Sequence, residues 1–178
     1  KHLLSKVGFK QFEDNVLFLC PCGITAREKD NILRVCEACN MGQVEIIPAV
    51  LCSLVGEGRK IDGSTVNMVV NIGGTYTDIA VVNMSNILKG ATLSVGGKSI
   101  DASIVNYLAY KDELVIGLPT AETLKNDVGS LYDNDTLNME VTGVDLKSKS
   151  PKTVVIHSME LKNAIEPFYS EILRAIDT

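Results

Sequence analysis

Two spacings of apolar positions alternate along this chain, one of strands and one of helices. Val16-Leu17-Phe18-Leu19-Cys20 is a short continuous apolar run of the kind a buried strand presents. From Thr25 the period becomes helical. Thr25 is placed as N-cap with Glu28 three residues on, a capping box, and Ile32, Val35, Cys36 and Cys39 mark one face before Asn40-Met41-Gly42 ends the helix. Gln43 to Ile47 predicts the next strand. Pro48 then opens a helix of small residues over 49–55, Gly56-Glu57-Gly58 stops it, and 59–65 is a polar stretch of linker character.

The middle of the chain carries two β-branched apolar runs, Met68 to Ile72 and Thr77 to Asn83, joined by Gly73-Gly74-Thr75-Tyr76, which predicts a tight β-hairpin. A third strand over 91–95 runs into Gly96-Gly97-Lys98-Ser99-Ile100-Asp101, where a helix begins over 98–110. A further helix is expected over 120–131, then strands over 137–144 and 153–156 with a turn-rich connection at 145–151. Ser158 is placed as N-cap of a final amphipathic helix with Leu161, Ile165, Phe168, Ile172 and Ala175 at helical spacing. Helices alternating with strands indicate a layered α/β fold.

The glycine corners are where chemistry enters. Adjacent glycines can adopt positive φ and bring several N–H groups to an anion, which makes a phosphate cradle out of main chain. Taken alone, Gly-Gly between strands is ordinarily just a turn.

Composition narrows the classes. The 178 residues are 46% hydrophobic, ample for a core, and a net charge of −5 offers no basic field for nucleic acid. No apolar run approaches bilayer length and no signal pattern opens the chain, so a soluble cytoplasmic protein is expected. The five cysteines invite a zinc reading through Cys20, Cys22, Cys36 and Cys39. Against it, Cys36 and Cys39 fall on an apolar helix face, where Cys behaves as a small hydrophobe, and disulfides are disfavoured in the cytoplasm.

Three strands ending in a second Gly-Gly corner and a helix resemble the nucleotide-binding core of the actin, sugar-kinase and DnaK-type superfamily, and within it the MreB-type bacterial actins. Those proteins carry motifs similar to Asp-Ile-Gly-Gly-Gly-Thr-Thr-Glu, Gly-Gly-x-x-Phe-Asp and Thr-Ala-Glu-x-x-Lys-x-x-Ile-Gly-Ser. The counterparts are Asn71 to Asp78, Gly96 to Asp101 and Thr120 to Ser130. The resemblance implies a partial actin-like (RNase H-like) ATPase fold of α/β class, a mixed sheet with three antiparallel strands flanked by helices. It implies the later part of a first lobe over 1–60 and a second lobe with its small outer subdomain over 61–178. An Asp-x-Gly-Thr phosphate loop is expected ahead of Lys1 and a glycine-rich adenine motif after Thr178, so the chain would represent about one of two walls of the cleft.

ATP or ADP with Mg is the implied cofactor. The implied contacts are Asn71 and the backbone of Gly73, Gly74, Thr75, Tyr76 and Thr77 at the phosphates, Gly96 and Gly97 near the sugar, and Glu122 and Lys125 bordering the adenosine. The i, i+3 spacing of Glu122 and Lys125 also suits an ordinary solvated ion pair. Phe9 and Phe12, with Lys10, sit either as local packing or where the family places a membrane-facing loop. The helix over 25–41 lies near the family's paired-filament contact, where Arg27, Lys29, Asp30 and Arg34 are either contacts or a solvated face.

Departures from the family pattern bear on activity. Its Glu-Glu-Pro turn reads Ile46-Ile47-Pro48 here, and Glu45 is out of register, so no side chain there positions the attacking water. Asn71 removes a negative charge from the magnesium environment, while Thr75 and Tyr76 crowd the turn. No catalytic residue and no protein metal ligand is assigned, and at most a weak ATPase is expected. The leading expectation is a cell-shape protein polymerising head-to-tail with itself, cytoplasmic and at the inner face of the plasma membrane. The alternative is an active ATP-dependent enzyme of the superfamily, a small-molecule kinase or chaperone-like ATPase.

Overall fold

The computed structural model describes Lys6 and residues 15–178. The loop with Phe9, Lys10 and Phe12 lies outside the described residues. The chain divides into two compact units, one built from residues up to Asn71 with Asp78–Thr92, the other from Ile72–Thr77 with Leu93–Thr178.

In the first unit β1 (Val16–Cys20) pairs in parallel with β2 (Val44–Pro48), Val16 opposite Val44 and Cys20 opposite Pro48. The crossover contains α1 (Ala26–Ala38), as a parallel pair requires. Its expected capping box is present: Thr25 Oγ1 accepts the Glu28 N–H at 3.3 Å, and Glu28 Oε2 accepts the Thr25 N–H at 2.8 Å. The Thr25 hydroxyl, donating to Glu28 Oε2 at 2.7 Å, and after it the Thr25 amide hold the exposed Glu28 carboxyl below its ordinary pKa. Helix α2 (Ala49–Gly56) follows β2 with Pro48 as N-cap. Strands β3 (Asn67–Ile72), β4 (Thr77–Asn83) and β5 (Asn86–Leu93) form a sheet in that order. Connections this short can only join antiparallel neighbours, because a parallel crossover needs a dozen residues or more. Val50, Leu54, Ala80 and Val82 make the buried cluster.

Three expectations change here. The strand over 16–20 is not buried on both faces: Leu17 and Leu19 are about half exposed. Val35 lies on the open side of α1, leaving Cys36 as the buried residue of that helix. The third strand begins at Asn86, because Met84 (φ 47°) and Ser85 (φ 63°) make a two-residue connection that the β-branched count does not reveal.

The second unit comprises α3 (Gly97–Lys111), β6 (Leu114–Val115), α4 (Leu118–Asp127), β7 (Asn138–Asp145), β8 (Pro151–His157) and α5 (Ser158–Ile176). β6, β7 and β8 form an antiparallel sheet with Val141 opposite Val154. Helices α3, α4 and α5 pack with it around Ile104, Leu108, Leu114, Leu124, Ile156 and Leu161, all fully buried. The two-residue β6 is too short to show a period in sequence. Helix α4 ends at Asp127, not Leu131, since the Val128 and Gly129 N–H groups both bond Leu124 O and a Cβ on Gly129 would strike Lys125 O. Ser158 is the first helical residue, not the cap; its hydroxyl donates to Asp135 O at 2.7 Å. Pro167 sits inside α5, where it removes one backbone donor. Among the described residues no helix is long and apolar enough to cross a membrane.

Two outcomes follow from these turns. Met84→Asn, which accepts left-handed backbone more readily, is expected to stabilise the chain by about 1 kcal/mol, read as a raised denaturant midpoint. At the β7–β8 turn Asp145 Oδ1 accepts the Ser148 N–H at 2.7 Å, the Ser148 hydroxyl and the Lys147 N–H at 3.0 Å, and Lys152 lies 3.3 Å from Oδ2. These donors, the Ser148 amide first, lower the Asp145 pKa to about 2. A depressed carboxyl contributes stability above its unfolded pKa of about 4 and loses it as pH falls toward the folded value. The difference in melting temperature between wild type and Asp145→Asn is therefore expected at pH 5 and to close as pH is lowered toward 2.

Candidate functional site: the glycine corners of the second unit

The turn between β3 and β4 is closed by the Gly73 N–H donating to Tyr76 O at 2.9 Å. Its carbonyls then receive the start of α3: the Gly97 N–H donates to Gly73 O at 2.9 Å and the Lys98 N–H to Gly74 O at 2.8 Å. Glycine is needed here for approach, not for positive φ. Neither Gly73 nor Gly74 has left-handed backbone, contrary to the expectation above, whereas a Cβ on Gly96 would lie 2.7 Å from both Gly73 O and Gly74 C. The Gly96 N–H donates to Ser99 Oγ at 2.9 Å, and that hydroxyl returns a bond to Gly96 O at 2.8 Å.

This geometry decides which amides remain for an anion. The first two of α3 are spent on the turn. The N–H groups of Gly74, Thr75 and Tyr76 have no partner among the described residues, and all three residues are exposed. Thr77 is fully buried and its hydroxyl donates to Val95 O at 2.7 Å, so its side chain clasps the strand end. Asn71, half-buried in β3, belongs to the other unit.

Lys125 of α4 reaches the same corner. Its Nζ lies 2.7 Å from Asp101 Oδ1 and 3.4 Å from Gly97 O, with side-chain exposures of 19% for Lys125 and 9% for Asp101. The ion pair forms with Asp101 and not with Glu122, which is exposed and without a partner among the described residues. Lys98, absent from the sequence-derived site, stands exposed beside the turn, its Cε 3.8 Å from where a Gly74 Cβ would be. It occupies a variable position of the Gly-Gly motif, so no motif could flag it. Asp101 ends that motif and was legible.

In the other unit Asp78 is buried. Its Oδ1 accepts the Thr92 hydroxyl at 2.5 Å, the Cys22 N–H at 3.2 Å and the Cys22 thiol at 3.4 Å, so this carboxylate organises the Pro21-Cys22-Gly23 turn. Burial is the main cause that raises the Cys22 thiol pKa, and Asp78 adds to it. Cys20 and Cys36 are buried free thiols, also raised chiefly by burial. Among the described residues no three His, Cys, Asp or Glu side chains are grouped to hold a metal ion.

The corner fits a phosphate chain: three unused amides on an exposed turn, and a glycine that lets the supporting helix approach. Magnesium fits less well, because the buried carboxylate of this corner, Asp101, is already paired with Lys125.

Comparison with known proteins agrees with this architecture. The sequence model described as MreB/Mbl protein matches residues 1–178. The chain is similar to the cell shape-determining protein Mbl of Bacillus cereus, 31% identical over 178 residues, covering 98% of this chain and 54% of that protein. It is 28% identical over 180 residues to the cell shape-determining protein MreB of Escherichia coli, covering 99% and 52%. Among solved structures, MreB5 of Spiroplasma citri bound to ADP superimposes with a TM-score of 0.89 at 27% identity, covering 98% of this chain and 53% of that one. The chain thus spans about half the length of the curated relatives it matches, and the fold is a partial actin-like one.

The packing at Gly96 is directly testable. Gly96→Ala is expected to cost about 1–3 kcal/mol, because the new methyl meets backbone that cannot yield. Gly74→Ala meets only the Lys98 stem and should be markedly milder, both read from urea midpoints.

Proposed function

The chain belongs to the MreB/Mbl family, and from that premise we propose that it is the nucleotide-binding part of a cell-shape protein that polymerises head-to-tail, binds ATP or ADP, and hydrolyses ATP slowly or not at all. The observation that carries the reading is the pair of bonds from the Gly97 and Lys98 amides to the Gly73 and Gly74 carbonyls, which leaves the Gly74–Tyr76 amides for a phosphate group. That the Spiroplasma MreB5 holds ADP supports the choice of ligand. Lys125, held by Asp101 and by Gly97 O, and Glu122 one turn earlier on the same helix are the side chains proposed to border the adenosine.

Slow hydrolysis is proposed from the residues that replace the family's acids. Ile46 and Ile47 stand where a water-positioning carboxylate would be, and Glu45, opposite Leu17 in the β1–β2 register, is displaced from that position by at least one residue. A strand turns successive side chains to opposite faces, so Glu45 does not substitute for the missing acid. Asn71 weakens magnesium support in the same direction. Head-to-tail contacts are heterologous and generate open filaments when their rotation does not close. The Phe9 and Phe12 loop with Lys10 is the proposed lipid contact, which would place the filament at the inner face of the plasma membrane.

The test uses the full-length protein. With ATP it is expected to pellet and to form filaments in negative stain, while releasing phosphate more slowly than Escherichia coli MreB measured in parallel. Soluble monomers with rapid turnover would instead support the kinase or chaperone-like class.

A further inference from the structure

The Lys125 ammonium sits in a socket made by the start of α3. Its Nζ lies 2.7 Å from Asp101 Oδ1 and donates to Gly97 O at 3.4 Å, and a Cβ on Gly97 would stand only 3.3 Å from it. Gly97, Asp101 and Lys125 all belong to the second unit. The other neighbour of that Cβ position, Gly73 O, is 3.9 Å away, an ordinary van der Waals contact. At Gly96 the missing side chain makes room for backbone, whereas at Gly97 it makes room for a cation.

The side chain held there has a long, flexible stem that loses much conformational freedom when it is fixed. Asp101 is a buried residue, so its carboxylate stays in place and fixes the ammonium, while Lys125 keeps part of its surface toward solvent. A buried ion pair contributes little net stability, so stability alone does not account for a cation at this corner. An ammonium has three donors, and Asp101 and Gly97 O take two of them. The direction of the third is set by the other two, and it is the donor that a nucleoside bordering Lys125 would use.

We propose that Asp101 and Gly97 are positioning residues for nucleotide binding, the first by pairing with the Lys125 ammonium and the second by leaving space for it. The proposal rests on the nucleotide reading above, in which Lys125 borders the adenosine, and adds to it how that side chain is aimed. Fixing the ammonium in advance raises affinity, because no flexible stem has to be ordered when the ligand arrives.

The experiment is calorimetric titration of ADP with Mg²⁺ into the full-length protein. It compares wild type, Asp101→Asn, Gly97→Ala, Lys125→Met and the two double variants that add Lys125→Met to each of the first two. Each single variant is expected to weaken ADP binding about tenfold, the scale of one hydrogen bond to a charged group. In the Lys125→Met background, adding Asp101→Asn or Gly97→Ala should change affinity by less than about twofold, because both act through the ammonium. Gly97→Ala should not lower the unliganded melting temperature, since the new methyl meets the end of a flexible side chain and alanine is the better helix former. It therefore decides the matter if Asp101→Asn does not fold. For either residue, a single variant that binds as tightly as wild type, or one that weakens binding equally with and without Lys125, overturns its assignment and leaves the nucleotide reading standing. Wild type that does not bind ADP overturns both.

Discussion

The close approach of two backbones at Gly96 is the constraint on which the candidate site depends. With no Cβ at Gly96, the carbonyls of Gly73 and Gly74 come near enough to accept the first two amides of α3. Those amides would otherwise be orphan donors of the helix N-terminus, free for a ligand. Here they are consumed in joining turn to helix. Among the described residues the amides left without a partner at this corner are thereby those of the turn, at Gly74, Thr75 and Tyr76. The same contact fixes where the Lys98 backbone lies, and so a packing requirement also places a charge.

Charge in the second unit is arranged around that joint. The Lys125–Asp101 pair is largely buried and carries a further contact from Nζ to Gly97 O. A pair of this kind contributes little net stability, because desolvation offsets most of the attraction, but separating its members is costly. It therefore acts chiefly to hold α4 in register with the start of α3. Helix α4 can stop where it does because Gly129 admits the Lys125 carbonyl. Asp78 plays a comparable local part in the first unit, gathering Cys22 and Thr92 about one carboxylate oxygen. In both units an acid that a motif would nominate for chemistry is engaged in holding a turn or a helix start.

What was legible in the sequence had local causes. The capping box at Thr25 and Glu28, the stop at Gly56 to Gly58, the hairpin at Gly73 and the periodic face of α5 each follow from neighbours within a few residues, and each is present. The order of the glycine motifs was sufficient to assign the family. The errors fall where a partner distant in sequence intervenes. Ser158 reads as a cap, but its hydroxyl is taken by Asp135 O, 23 residues away. The Met84-Ser85 connection has no glycine or asparagine at its centre to announce it, since the sheet imposes a backbone these residues do not prefer.

The candidate site shows the same division. Residue type and spacing alone determined that glycine-rich corners lie at 73–74 and 96–97 and that Lys125 shares a helix face with Glu122. Tertiary structure decided that these corners bond to one another, that Asp101 and not Glu122 partners Lys125, and that Lys98 stands beside the turn. The physical reason is that hydrogen bonds and ion pairs are short-ranged. A sequence records which groups are able to form them, but only the folded path of the chain brings a particular donor within three ångströms of a particular acceptor.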